Sequence, residues 1–157
     1  MTTDLRRVLV IAALGLFVLA LVLYARRSVH APLVADAVRT PGVLNAAVMQ
    51  ATIGSTICRR GWTRTIRPPT DYTNALKRKQ MRMYDEHGPP AAYQEDHLIS
   101  LELGGDPTDP RNLWPEPYPR ASAVDRIEND LNARVCAGSL TLAEAQVQEA
   151  QLKHTQG

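Results

Sequence analysis

The sequence is short of aromatic residues, of cysteine and of long apolar stretches, and each shortage excludes a class of protein. Its 157 residues include one Phe, two Trp and five Tyr, too few to supply two independent cores. A single long apolar stretch excludes a membrane protein with several spans. The chain has no internal repeat and no low-complexity segment, which excludes a solenoid or a collagen-like protein. We expect one small domain.

The apolar stretch, residues 8–25, predicts a single transmembrane helix that inserts in a lipid bilayer. Eighteen residues at about 1.5 Å each give about 27 Å, close to the thickness of the hydrocarbon layer. Two arginines precede the stretch and two follow it, so the positive-inside rule does not fix its orientation. A signal peptide cleaved after Ala31, which would release a secreted protein, is the alternative, but the stretch is longer than the usual signal. We interpret residues 1–27 as a signal anchor.

Cys58 and Cys136 are the only cysteines, and neither belongs to a C-x-x-C or Cys/His cluster that would indicate zinc. An even number of cysteines after an export-type helix favours a disulfide bond. Two buried, unpaired thiols are the alternative. With the anchor, this pair predicts a single-pass membrane protein with its domain outside the cytoplasm, either periplasmic or at the cell surface.

The net charge of +2 hides an uneven distribution. Residues 59–82 contain eight Lys or Arg and one Asp, whereas residues 83–157 contain five basic and thirteen acidic residues. A basic segment beside an acidic one is expected where a surface that binds a polyanion adjoins a group of metal-binding carboxylates. A solvated helix face explains the basic segment equally well.

Apolar spacing, prolines and glycines predict a linker over residues 28–51 and a domain over residues 52–157. The order within the domain is strand, helix, hairpin, helix, helix. The predicted elements are a strand over 62–67, a helix from Thr70 or Asp71 to about Tyr84, a strand over 93–103, an extended piece over 112–115, a helix over 121–135, and a last helix that follows a Thr141–Glu144 capping box and reaches about Lys153.

One group of residues in this order has side chains of the types that bind metal ions and transfer protons. Asp96-His97 precedes a turn at Gly104-Gly105, Asn112-Leu113 follows, and the next helix holds Asp125, Glu128 and Asn129. Metal-assisted hydrolysis of a phosphodiester uses a hard divalent cation and a base that deprotonates the attacking water. Carboxylates suit the metal, and histidine suits the base because its ordinary pKa lies near neutrality.

The run from Tyr93 to Pro107, followed by Asn112-Leu-Trp-Pro-Glu-Pro117, resembles the HNH, or ββα-metal, nuclease family. The resemblance extends over roughly residues 50–147. It implies an α+β fold in which an HNH-like hairpin-plus-helix core carries an additional strand and helices. It also implies that Asp96 is the first metal ligand, that His97 is the general base, and that Asn112 braces the loop beneath the site.

The second metal ligand should come from the helix after the hairpin. Because that helix lacks histidine, the candidates are Asp125, then Glu128, then Asn129. The implied cofactor is Mg²⁺ or Mn²⁺, with Zn²⁺ or Ni²⁺ as alternatives. Lys77, Arg78, Arg82 and Arg126 are the candidates for contacts with the backbone of DNA or RNA, without sequence specificity.

The sequence therefore predicts a membrane-anchored, metal-dependent endonuclease. The alternative is an inactive protein of the cell envelope that keeps the ββα scaffold as a binding or structural module.

Overall fold

A computed structural model describes residues 3–27 and 33–157; for residues 3–6, 8 and 23–27 it describes the backbone alone. The first helix, α1, spans Thr3–Arg27. A separate compact unit spans Leu33–Gly157. Among the described residues, no helix meets both the length and the hydropathy that a membrane span requires. The anchor predicted for residues 8–25 includes positions outside the described side chains and stays a prediction.

The compact unit begins upstream of the predicted boundary at residue 52. The backbone N–H of Ala35 donates to the carbonyl of Lys153 at 3.0 Å, and Ala35 is buried. Leu44 forms an isolated antiparallel bridge with Gly105. Residues 33–51 are therefore part of the packed domain rather than a linker; residues 28–32 lie outside the described residues.

The compact unit is an α+β structure built around one hairpin. Strands β1 (Tyr93–His97) and β2 (Leu113–Pro117) pair antiparallel, with Asp96 opposite Trp114 and His97 opposite Leu113. Helix α4 (Tyr118–Cys136) follows β2 directly. Helix α3 (Thr70–Met83) packs against both strands, and helix α5 (Leu142–Thr155) packs against α4.

Apolar side chains from the connection between the strands join the hairpin to the last two helices. Ile99 and Leu103 are buried with Leu131 and Val135 of α4 and with Leu142 of α5. A smaller cluster holds three buried side chains, Ala35, Leu98 and Trp114. The start of this connection is thereby fixed against α4 and α5, where the candidate site residues lie.

Two predicted strands are wrong. Residues 62–67, the additional strand, form the short helix α2 (Trp62–Ile66), with only Arg67 extended before the prolines. The strand predicted over 93–103 ends at His97, and Leu101–Leu103 form a 3₁₀ turn. In both segments, apolar spacing was interpreted as alternation, but the turn buries Leu98, Ile99, Leu101 and Leu103 together.

The helix predictions are confirmed to within a few residues. Helix α3 begins at Thr70, and Gly138 follows the end of α4 with a φ of 76°, a conformation that favours glycine. The capping box at α5 is present, since the Thr141 N–H donates to a Glu144 carboxylate oxygen at 3.0 Å. Local capping chemistry was therefore sufficient to locate the last helix.

Cys58 and Cys136 form a disulfide bond, as predicted, with their Cα atoms 5.5 Å apart. The bond joins the segment before α2 to the last residue of α4. It encloses 78 positions of sequence, so it removes many conformations from the unfolded chain.

Replacing both cysteines with alanine should lower the free energy of unfolding by about 2–4 kcal/mol because the unfolded chain regains those conformations. Urea unfolding of the full-length chain in mild detergent, followed by tryptophan fluorescence, measures the change. The same unfolding midpoint for the wild type and the double variant would contradict this expectation.

Candidate active site

A polar cleft of about 430 Å³ lies where β1 ends and α4 begins its second half. Helix α2 and Arg67 line one side, and the turn after β1 lines another. Five of the predicted site residues line this cleft: Asp96, His97, Asp125, Glu128 and Asn129. The remaining lining residues are Thr63, Arg67, Gln94, Ser100, Leu101 and Glu102.

His97 is held in one orientation at the cleft. Its side chain is buried, and its Nε2 lies 3.1 Å from the carbonyl oxygen of Pro107. Because a carbonyl only accepts hydrogen bonds, Nε2 carries the hydrogen and Nδ1 keeps the lone pair. Burial lowers the pKa of His97 below its ordinary value, against the opposing effects of Asp96 and the Pro107 carbonyl. The imidazole is therefore neutral at pH 7 and able to accept a proton.

Asn112 is fully buried and makes the bracing contacts that the resemblance implies. Its Oδ1 accepts from the N–H of Ile99 at 3.0 Å. Its Nδ2 donates to the carbonyls of Ile99 at 3.0 Å and Asp106 at 2.9 Å. Both ends of the turn after β1 are thereby tied to the start of β2. Asn112 does not line the cleft, so it acts through the loop it holds.

The turn beside Asn112 has no room for a side chain at position 105, where the sequence has glycine. A Cβ at position 105 would lie 1.8 Å from the carbonyl oxygen of Ile99 and 2.5 Å from Nδ2 of Asn112. No side chain fits in that space. The Gly-Gly pair is thus a packing requirement of the loop beneath the site.

A lysine joins two of the candidate metal ligands, Asp96 and Glu128. The ammonium of Lys153, which is fully buried, lies 3.0 Å from Oδ2 of Asp96 and 2.6 Å from Oε1 of Glu128. Burial alone would raise the pKa of Asp96, but Lys153 and a hydrogen bond with Glu116 hold it at about 2. Asp96 is therefore a carboxylate at every pH at which the protein is expected to work.

Glu116 lies on the neighbouring strand, opposite Gln94, and is fully buried. As a carboxylate it has no hydrogen-bond donor among the described residues. Burial, followed by its hydrogen bond with Asp96, raises the pKa of Glu116 to about 9. Glu116 is consequently a neutral acid at pH 7, and its hydroxyl donates a hydrogen bond to the Asp96 carboxylate.

The metal implied by the resemblance does not fit this arrangement. Within the described part of the chain, no three His, Cys, Asp or Glu side chains are placed to hold a metal ion together. Asp96 and Glu128 each give an oxygen to Lys153. Use of Mg²⁺ or Mn²⁺ stays a prediction, and no chemical step below passes through a metal ion.

The cations predicted to contact nucleic acid do not line the cleft. Lys77 is buried and donates to the carbonyl of Tyr93 at 2.8 Å, whereas Arg78, Arg82 and Arg126 are exposed on other surfaces. Arg67, from the same basic segment, does line the cleft, and no described carboxylate pairs with it. Contact of the basic segment with nucleic acid stays a prediction, and Arg67 is the member of that segment that reaches the cleft.

Sequence reasoning also missed Glu149 and Lys153 of α5. The spacing of α5 could have indicated them. Leu142 and Ala145 are buried on one face of this helix, and Glu149 and Lys153 lie on the same face. A charged pair that continues an apolar stripe is a sign of buried ion pairing.

Comparisons of the chain with family models, with curated proteins and with solved structures find no match. The resemblance to HNH nucleases therefore rests on the motif residues, and a function has to be argued from the chemistry of the cleft.

Proposed function

We propose that the cleft hydrolyses phosphodiester bonds of nucleic acid, with His97 as the general base. The observation that carries the proposal is the histidine itself, fixed through Nε2 with its basic Nδ1 available and bordered by ionised Asp96. The succession β1, β2, α4 also agrees with the ββα-metal core of HNH nucleases, in which a base at the hairpin faces the helix.

The proposed reaction uses groups that border the same space. Nδ1 of His97 removes a proton from a water that attacks phosphorus. Arg67 pairs with a phosphate oxygen, for which its planar guanidinium is well suited. Burial, with Glu128 and Asp125, raises the pKa of Glu102 to about 7, so Glu102 can supply a proton to the leaving oxygen.

Incubation of the full-length chain with supercoiled plasmid and with a structured RNA tests the proposal. We expect conversion of the plasmid to the nicked circle, or shortening of the RNA. Parallel reactions with Mg²⁺, with Mn²⁺ and with a chelator determine the requirement for metal. Absence of cleavage of both substrates under all of these conditions would reject the proposal.

Replacing Arg67 with alanine should raise the KM for the cleaved substrate about 10-fold because one charge-assisted hydrogen bond to phosphate is lost. Steady-state rates at increasing substrate concentration measure the effect. Arg64→Ala is the matched control, since Arg64 is an exposed arginine of α2 that does not line the cleft. Equal KM values for Arg67→Ala and Arg64→Ala would exclude Arg67 from substrate binding.

An inactive scaffold is the second candidate, favoured by the ammonium of Lys153 between Asp96 and Glu128. In that case the chain would cleave neither substrate, and Asp96→Ala would leave the binding of every divalent ion unchanged. Cleavage that depends on His97 would exclude it.

We also propose that residues 8–25 anchor the protein in a membrane and that the domain lies outside the cytoplasm. The disulfide supports this location, since such bonds persist in oxidising compartments. Protease added outside intact spheroplasts should digest the domain and spare cytoplasmic proteins. Protection of the domain would contradict the location.

A further inference from the structure

Lys153 has the contacts of a cation enclosed by ligands. Its ammonium donates to Oδ2 of Asp96 at 3.0 Å, to Oε1 of Glu128 at 2.6 Å and to the carbonyl of His97 at 2.5 Å. An ammonium has three hydrogens, so these three oxygens use its full donor capacity. A carboxylate oxygen of Glu149 lies 3.4 Å away.

The lysine is fixed where it lies. It projects from α5 and is fully buried, and its neighbour one turn earlier, Glu149, is fully buried as well. Both carboxylate oxygens of Glu149 accept from the N–H of Ser100, at 2.9 and 3.0 Å. Glu149 thus ties α5 to the turn after β1 and holds Lys153 beneath the cleft.

We propose that the ammonium of Lys153 is the resident cation of this cleft and takes, between Asp96 and Glu128, the place that a divalent metal would need. A metal bound through Oδ2 of Asp96 and Oε1 of Glu128 would have to displace two of the ammonium's hydrogen bonds. A metal bound through the other oxygen of each carboxylate would place a second cation beside the fully buried ammonium. Lys153 therefore positions both carboxylates and excludes divalent metal from them.

This inference concerns cation binding, so its test is independent of whether the cleft hydrolyses anything. Removing the lysine while keeping the net charge should create a metal site. The double variant Lys153→Met with Glu149→Gln does so, and the introduced glutamine can still accept from Ser100 through its amide oxygen. The matched control is Lys77→Met with Glu95→Gln, which removes a buried lysine and a partly buried glutamate that do not line the cleft.

Isothermal titration of the full-length chains with Mn²⁺ measures the binding. We expect the Lys153/Glu149 variant to bind Mn²⁺ at least about 10-fold more tightly than the wild type, and the Lys77/Glu95 control to match the wild type. Adding Asp96→Asn to the variant should remove the gain, which locates the new site in the cleft. Equal affinity in variant and wild type, or a gain that survives Asp96→Asn, would overturn the proposal.

The wild type also tests the inference if the variant does not fold. Wild-type binding of Mn²⁺ should be the same with and without Asp96→Asn, because Asp96 is already engaged by Lys153. A loss of Mn²⁺ binding caused by Asp96→Asn in the wild-type background would show metal at these carboxylates and overturn the proposal. Nuclease activity does not enter either result.

Discussion

Replacing His97 with alanine should lower the rate of nucleic-acid hydrolysis by about 100-fold or more, the usual contribution of a general base. The imidazole is the one described group in the cleft that is fixed by a hydrogen bond at one nitrogen and basic at the other. Cleavage of a plasmid or RNA substrate under single-turnover conditions measures the rate. Circular dichroism of the variant shows whether the fold is retained.

His87→Ala is the matched control, because His87 is exposed and pairs with Asp85 away from the cleft. It should cleave at the wild-type rate. A rate for His97→Ala equal to that of His87→Ala would remove His97 from the mechanism.

The pH profile gives a second test of His97. Because burial lowers the pKa of His97 below its ordinary value near 6.5, the neutral form of the base predominates at pH 7. The value of kcat/KM should therefore rise with pH at a point below 6.5 and be level from there through neutrality. In His97→Ala this acidic limb should be absent.

Replacing Lys153 with methionine alone should lower the free energy of unfolding by about 3–5 kcal/mol, the usual cost of breaking a buried ion pair on one side. The substitution leaves Asp96, Glu128 and Glu149 without their shared cation. Urea unfolding at pH 7 measures the loss. Lys79→Met, at an exposed position of α3, should change stability by less than about 0.5 kcal/mol.

The free energy of unfolding lost in Lys153→Met should increase as the pH rises. In the wild type, Asp96 has a pKa of about 2, below its ordinary value of 3.8, so it adds stability above pH 3.8 that is lost as the pH falls towards 2. In the wild type, burial already raises the pKa of Glu128 and of Glu149, and Lys153 opposes this effect. Without Lys153, the pKa values of all three acids rise further, and ionising them becomes more costly. The difference between wild type and Lys153→Met should therefore widen as the pH rises from 4 to 7. A difference that is constant over this range would contradict the assignment of Lys153 as their counter-ion.

Local signals were enough to predict the helices. The capping box at Thr141 and the prolines before Thr70 specify helix starts through hydrogen bonds and steric limits that act within a few residues. The segment at Trp62–Ile66 has no such signal. Its β-branched residues suggested a strand, but no described partner strand lies beside it, and the packing of Trp62 against the core decides in favour of a helical turn.

Several predicted site residues do line one cleft, because Asp96 and His97 are adjacent in sequence and Glu128 lies on the helix that follows the hairpin. The cations could not be found in the same way. Arg67 reaches the cleft from the end of α2. Lys153 reaches the carboxylates beneath the cleft from α5, 56 positions after His97. Contacts between residues so far apart in sequence depend on tertiary packing, which a local sequence pattern does not show.

The disulfide also affects how firmly the two sides of the cleft are held together. It links the segment before α2 to the end of α4. Arg67 directly follows α2, and Asp125 and Glu128 lie on earlier turns of α4. The cationic and acidic walls of the cleft are thus crosslinked to each other. In a reducing compartment the chain would lack that crosslink, so the two walls are held together most firmly where the bond stays oxidised.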